Sequence, residues 1–85
     1  MRRRRLLRRL ASGALNNVRF RDLVDLAEGF GFRVVRIEES HHVFTQSGLD
    51  ELISLQDHRG EAKPYQIRQL LRLVERYNLK LKDDA

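Results

Sequence analysis

Three side chains in this sequence can exchange a proton near neutral pH: His41, His42 and His58. The first two stand together in EESHHVF, residues 38–44, between acids and an apolar pair, and the third lies in DHRGEAKP, residues 57–64. An imidazole at such a position can act as general base or general acid. If 41–46 is a strand, alternation puts His42 with Phe44 on one side and His41, Val43 and Thr45 on the other. A large aromatic such as Phe44 belongs in the core, so His42 is expected inward and His41 on the open side, beside a turn. A bulge at Ser40 would reverse that assignment. A strand histidine is more often a packing residue than a catalyst, and spacing alone does not choose between the two.

Other chemistries find little support. The chain has no cysteine, which removes thiolate nucleophiles and Cys-based zinc sites and fits a reducing, cytoplasmic setting. His41 and His42 point apart, His58 is distant in sequence, and no acid has ligand spacing, so no metal site is expected. No serine–histidine–acid arrangement and no phosphate-cradling glycine loop can be traced. Neither a cofactor nor a small-molecule substrate is expected. No apolar run approaches the ~18 residues of a membrane span.

Charge is distributed unevenly. The first 21 residues hold eight arginines and no acid, and the other 64 hold nine Lys/Arg against twelve Asp/Glu. Residues 58–82 carry seven bases against two acids, Glu61 and Glu75. Arg59 and Lys63 in the loop, with Arg68, Arg72 and Arg76 at i, i+4 and i+8, are candidate phosphate contacts. A plain solvated helix face is the competing reading. The start, MRRRRLLRRLASGAL, lacks the uninterrupted apolar stretch of a secretory signal, because Arg8 and Arg9 break it. It has the basic, acid-free character of a transit peptide, and equally of a helix that docks on the domain or touches nucleic acid.

The elements that must position these residues follow from periodicity. Leu6, Leu7 and Leu10 make one stripe on a short helix, stopped at Ser12 and Gly13. Phe20, Leu23, Val24, Ala27 and Phe30 predict a second helix from about Phe20 to Gly29. FRVVRIE, HHVFTQ and LISLQ read as three strands joined by short turns. Pro64 suits the first position of a third helix, with Ile67, Leu70, Leu71, Val74 and Tyr77 as its stripe and Asn78 as terminator. At 85 residues the chain has room for one small domain. The expected fold class is α+β: an antiparallel meander with two helices on one face, the other face open, and an extra basic helix in front.

The stretch GFGFRVVRIEESHHVF, then a third strand and KPYQIRQLLRLVERYNL, resembles the HicA family of bacterial toxins. The likeness spans roughly Val18 to Leu81. Its marks are a glycine–phenylalanine step, Gly31-Phe32, then Ser40-His41 and the apolar–aromatic Val43-Phe44. The resemblance implies a fold like that of double-stranded-RNA-binding domains, α-β-β-β-α, in agreement with the element order above. It implies a ribonuclease acting on messenger RNA and silenced by a HicB-like antitoxin. It carries the family's functional histidine onto His41, directly after the serine. It divides the chain into an arginine-rich helix and linker, 1–17, the toxin domain, 18–82, and a tail, 83–85. The family has glycine before Ser-His, where this chain has Glu39. A glycine there permits positive φ and a close approach of the RNA backbone, whereas Glu39 adds a negative charge beside a polyanion.

On this reading His41 serves as general base on the RNA 2′-hydroxyl or general acid on the leaving oxygen, without metal. Ser40 and His58 are candidate supporting groups. Arg59, Lys63, Arg68, Arg72 and Arg76 contact RNA. Three other readings stand beside it: an RNA-binding module without catalysis, a toxin degenerate through Glu39, and an interaction protein that docks its arginine helix on an acidic partner.

Overall fold

The computed structural model describes residues 2–82, the side chain of Arg2 excepted. The tail read from sequence as 83–85 lies outside the described residues. In chain order the elements are α1 (Arg2–Ala11), β1 (Val18–Arg19), α2 (Phe20–Gly29), β2 (Arg33–Glu38), β3 (His41–Thr45), β4 (Ile53–Gln56), β5 (Glu61–Ala62) and α3 (Pro64–Arg76).

Strands β2, β3 and β4 form an antiparallel sheet in that order. Phe44, Ile53 and Leu55 project from one face into the core. There they meet Leu23, Leu26 and Ala27 of α2 and Ile67, Leu70 and Leu73 of α3. These are the positions that the helical and strand periods marked as apolar, and the two-layer α+β fold follows from burying them together. Among the described residues no helix covers the other face, where His41 and Ser54 are exposed. Val43 on that face is nonetheless buried, because it occupies the middle strand between Arg36 and Ser54.

Two features were not foreseen. Val18–Arg19 pair with Glu61–Ala62 as a second, two-stranded sheet. Segments this short carry no detectable period, so their pairing was invisible in the sequence. This ribbon directly precedes both α2 and α3, and so ties the starts of the two helices together, with the Phe20 N–H donating to the Gly60 carbonyl at 2.8 Å. The second feature is a register shift in β2 between Val34 and Arg36, not at Ser40.

Helix α1 packs on α2 through Leu6, Leu7 and the fully buried Leu10. Arg3 donates to Asp25 of α2 at 2.9 Å. Close approach is possible because Gly29 has no Cβ: an atom there would lie 2.8 Å from Arg3 Cδ and 2.7 Å from Leu81 Cδ1. The chain after α3 returns to the same spot, where the Lys82 N–H donates to the Gly29 carbonyl at 2.8 Å.

Candidate functional site

The strand β3 begins at the two-residue connection Glu39–Ser40, closed by the pair Glu38 and His41. Two-residue hairpins demand positive φ at their first central residue, which is why glycine is favoured there. Glu39 has φ +56°. The turn therefore holds a glutamate in a conformation that costs an L-residue roughly 1–2 kcal/mol.

The alternation expected from sequence holds through this strand. His42 faces the helices, half-buried, with its ring 4.9 Å from Phe20 and 6.5 Å from Phe44 between centroids. His41 is exposed on the uncovered side of the sheet, opposite Glu38 on one flank and Gln56 on the other.

Two hydrogen bonds hold Ser40, and a further pair braces one of the two donors. The Asp57 N–H donates to the Ser40 carbonyl at 2.9 Å. The Gln56 side-chain amide donates to Ser40 Oγ at 3.2 Å. Gln56 is itself clamped from α3: the Gln66 amide donates to its carbonyl at 2.9 Å and accepts from its N–H at 2.7 Å, in the orientation that satisfies both groups. Gln66 is 3% exposed, the buried polar side chain among the described residues. Its amide serves the edge of β4 as another strand would.

Because Asp57 is bonded to Ser40, the loop 57–60 stands at the same end of the sheet as His41. So do the starts of α2 and α3, joined by the β1–β5 ribbon. Helix starts carry partial positive charge. Exposed Arg19, Arg21, Arg59 and Lys63 add formal charge there, and Arg19, Arg21, Asp57 and Gly60 line one shallow cleft. Arg19 and Arg21 are not legible as site residues along the chain, since only the ribbon brings the segment before α2 against the loop before α3.

His58 is half-buried, not fully exposed. Its backbone pairs with Glu61, its ring lies edge-on to Tyr65 at 6.5 Å, and its Nε2 is turned inward, unbonded among the described residues.

The α3 arginines are not gathered with His41. Arg68 and Arg72 are exposed on the helical layer. Arg76 is bonded at 3.0 Å to Glu51, which also accepts from the Tyr77 hydroxyl. These bonds hold the Glu51 carboxyl below its ordinary range, the Tyr77 hydrogen bond contributing most and Arg76 next. No group of three or more His, Asp or Glu among the described residues is placed to hold a metal ion. None of the described helices is long and apolar enough to cross a membrane.

The profile of one protein family, described as HicA toxin of bacterial toxin-antitoxin, matches residues 20–75. The chain belongs to the HicA family. The matched span runs from the start of α2 almost to the end of α3, and contains the Ser40–His41 turn and the Gln66 clamp. HicA proteins are toxins of toxin–antitoxin systems, so membership implies a cognate antitoxin. The α+β fold agrees with the double-stranded-RNA-binding-like fold of HicA toxins. Helix α1 lies outside the matched residues. Neither curated proteins nor solved structures offer a match to the chain.

Proposed function

We propose that this HicA toxin is a metal-independent endoribonuclease that cleaves messenger RNA and is silenced by a HicB-like antitoxin. The observation that carries the reading is the placement of His41. It is the exposed imidazole of a rigidly bonded turn, on the open side of the sheet, at the end where Arg19, Arg21, Arg59 and Lys63 collect.

In this mechanism the phosphate backbone is drawn to Arg19, Arg21, Arg59 and Lys63, which stand at this end of the domain beside Glu38, Glu39, Asp57 and Glu61. His41 removes the proton of the 2′-hydroxyl, or protonates the departing 5′-oxygen. The attacking oxygen bonds to phosphorus, the P–O5′ bond breaks, and the products are a cyclic or 2′/3′ phosphate and a 5′-hydroxyl. Arg59 and Lys63 stabilise the charge that develops on the phosphoryl oxygens. Ser40 and Gln56 orient the turn. His58 supports the site through packing against Tyr65, and serves as a second proton donor only if its inward Nε2 is freed. One general catalyst contributes about 10²–10⁴-fold, so turnover is slow.

Glu39 favours a second reading, a toxin weakened in its own active turn. Its carboxylate sits one residue from Ser40 and repels the phosphate that His41 must meet. The test is expression of wild type, His41→Ala and Glu39→Gly without antitoxin, with RNA cleavage followed in chelator. Loss of growth arrest and cleavage in His41→Ala, with chelator harmless to wild type, supports the ribonuclease. Cleavage by wild type and His41→Ala at equal rates rejects it. Activity that appears only in Glu39→Gly supports the weakened toxin.

A further inference from the structure

The sheet β2–β3–β4 has two edges, and the fold treats them oppositely. The outer edge of β4 is closed by Gln66, whose amide stands in for a further strand. Among the described residues no strand pairs with the outer edge of β2. Every residue of Arg33–Glu38 is exposed, Ile37 at 58%, with Val34 and Val35 also open to solvent. A β-branched run whose backbone is unpaired on one side is a template for another strand. Hairpin geometry says which groups it offers. Glu38 and His41 close a two-residue turn and so exchange backbone hydrogen bonds with each other. The next residue in an antiparallel ladder is of the opposite kind, so Ile37 turns its N–H and C=O away from β3, to the open edge. The same alternation turns the Gln56 backbone outward at the far edge, where Gln66 meets it. Arg36 and Glu38 share the uncovered face of the sheet, and Ile37 the side of His42. The register shift between Val34 and Arg36 lies before this run.

We propose that β2 pairs edge to edge with β2 of a second copy of this chain, antiparallel, about a two-fold axis at Ile37. In that register Ile37 meets Ile37 and the two exchange both backbone hydrogen bonds, while Arg36 of each copy lies opposite Glu38 of the other. The two sheets become continuous, with both His41 rings on the same uncovered face. The claim concerns association and does not depend on cleavage at His41.

The order of charges selects this occupant. Edge strands are commonly guarded by charges that repel an incoming strand. Arg36-Ile37-Glu38 does the reverse toward itself, because run antiparallel it sets opposite charges against each other on both sides of the axis. Such a self-complementary pattern fits an isologous contact, in which the same patch serves both copies. Within one copy Arg36 and Glu38 already approach to 3.5 Å as an exposed pair. An exposed pair is worth little, so exchanging it across the axis costs little. The Ile37 side chains, open to solvent in one copy, cover each other at the axis. The apposed run is short, so the dimer is weak, and salt weakens it further.

The experiment uses the full-length chain, carrying His41→Ala to spare the host, in sedimentation equilibrium over a wide range of protein concentration. The average mass is expected to rise from one chain toward two, and the Ile37 amide to gain protection from exchange in step. Glu38→Arg sets arginine against Arg36, and Arg36→Glu sets glutamate against Glu38. Each of these variants is expected to stay monomeric where the parent is dimeric. Mixed together they are expected to form a mixed dimer, since every charge again meets its opposite, and that recovery also shows that both are folded. A parent that stays monomeric throughout, a mixture that does not associate, or a dimer whose Ile37 amide exchanges freely overturns the proposal. Loss of antitoxin binding in the single variants, with no self-association of the parent, overturns it too and makes β2 the seat of an antitoxin strand.

Discussion

The side-chain amide of Gln66 in α3 makes two hydrogen bonds to the backbone of Gln56 in β4, at 2.9 and 2.7 Å. A helix thereby completes the edge of a strand directly opposite His41. Through Gln56 Nε2 and Ser40 Oγ the same connection reaches the turn that carries the proposed catalyst. The geometry of the turn is thus set from the core, three side chains away, and not by the hairpin alone.

Gln66→Leu keeps the volume and leaves both Gln56 backbone groups unpaired. An unsatisfied buried group costs about 1–3 kcal/mol, and urea unfolding is expected to show a loss in that range. Amide exchange at Gln56 should accelerate more than the global loss explains. Protection at Gln56 equal to wild type would mean that the clamp is not formed in solution.

His42→Ala removes the ring between Phe20 and Phe44. We expect a destabilisation of about 1–3 kcal/mol, read as a lower denaturant midpoint, with RNA cleavage per folded molecule retained. His41→Ala should leave the midpoint within about 0.5 kcal/mol of wild type, since its side chain is exposed. A stability loss at His41 matching that at His42 would contradict the assigned orientation of β3.

Glu39→Gly relieves the positive φ at the first turn position. The expected gain is about 1 kcal/mol, the strain removed less the entropy glycine adds to the unfolded chain. Removing the carboxylate should also tighten RNA binding at low salt and speed cleavage. A lower melting temperature in Glu39→Gly would show that the turn does not strain its glutamate.

The loop holding Glu51 is fastened to the end of α3 by Arg76 and Tyr77. The folded-state pKa of Glu51 is depressed, so its contribution is present above the unfolded value of about 4.3. That contribution is lost as pH falls through the folded value. Acidification below the ordinary carboxylate range should loosen residues 47–52 before the sheet opens, visible as amide exchange confined to that loop. Glu51→Gln should show the loosened loop already at neutral pH. Uniform exchange in both proteins would disprove the fastening.

Much of this protein was legible in its residue order. The 3.6-residue recurrence of Phe20, Leu23 and Ala27, and of Ile67, Leu70 and Val74, marks helices because only one face of each can be buried. The period of two through His42, Phe44, Ile53 and Leu55 marks strands for the same reason. The family motif Ser40-His41 is local, so it too could be read along the chain. Tertiary structure alone decided the rest. Two-residue strands such as Val18–Arg19 and Glu61–Ala62 have no period, and their pairing exists only once the core has brought them together. The partnership of Gln66 with Gln56, the gathering of Arg19 and Arg21 beside Asp57 and Gly60, and the diversion of Arg76 to Glu51 all join residues remote in sequence. The same exposed arginine pattern in α3 therefore meets different surroundings: Arg68 and Arg72 line a groove beside Ala11, while Arg76 holds a loop. Periodicity reports which side of a helix is dry, but a charge's partner is set by what the fold places next to it.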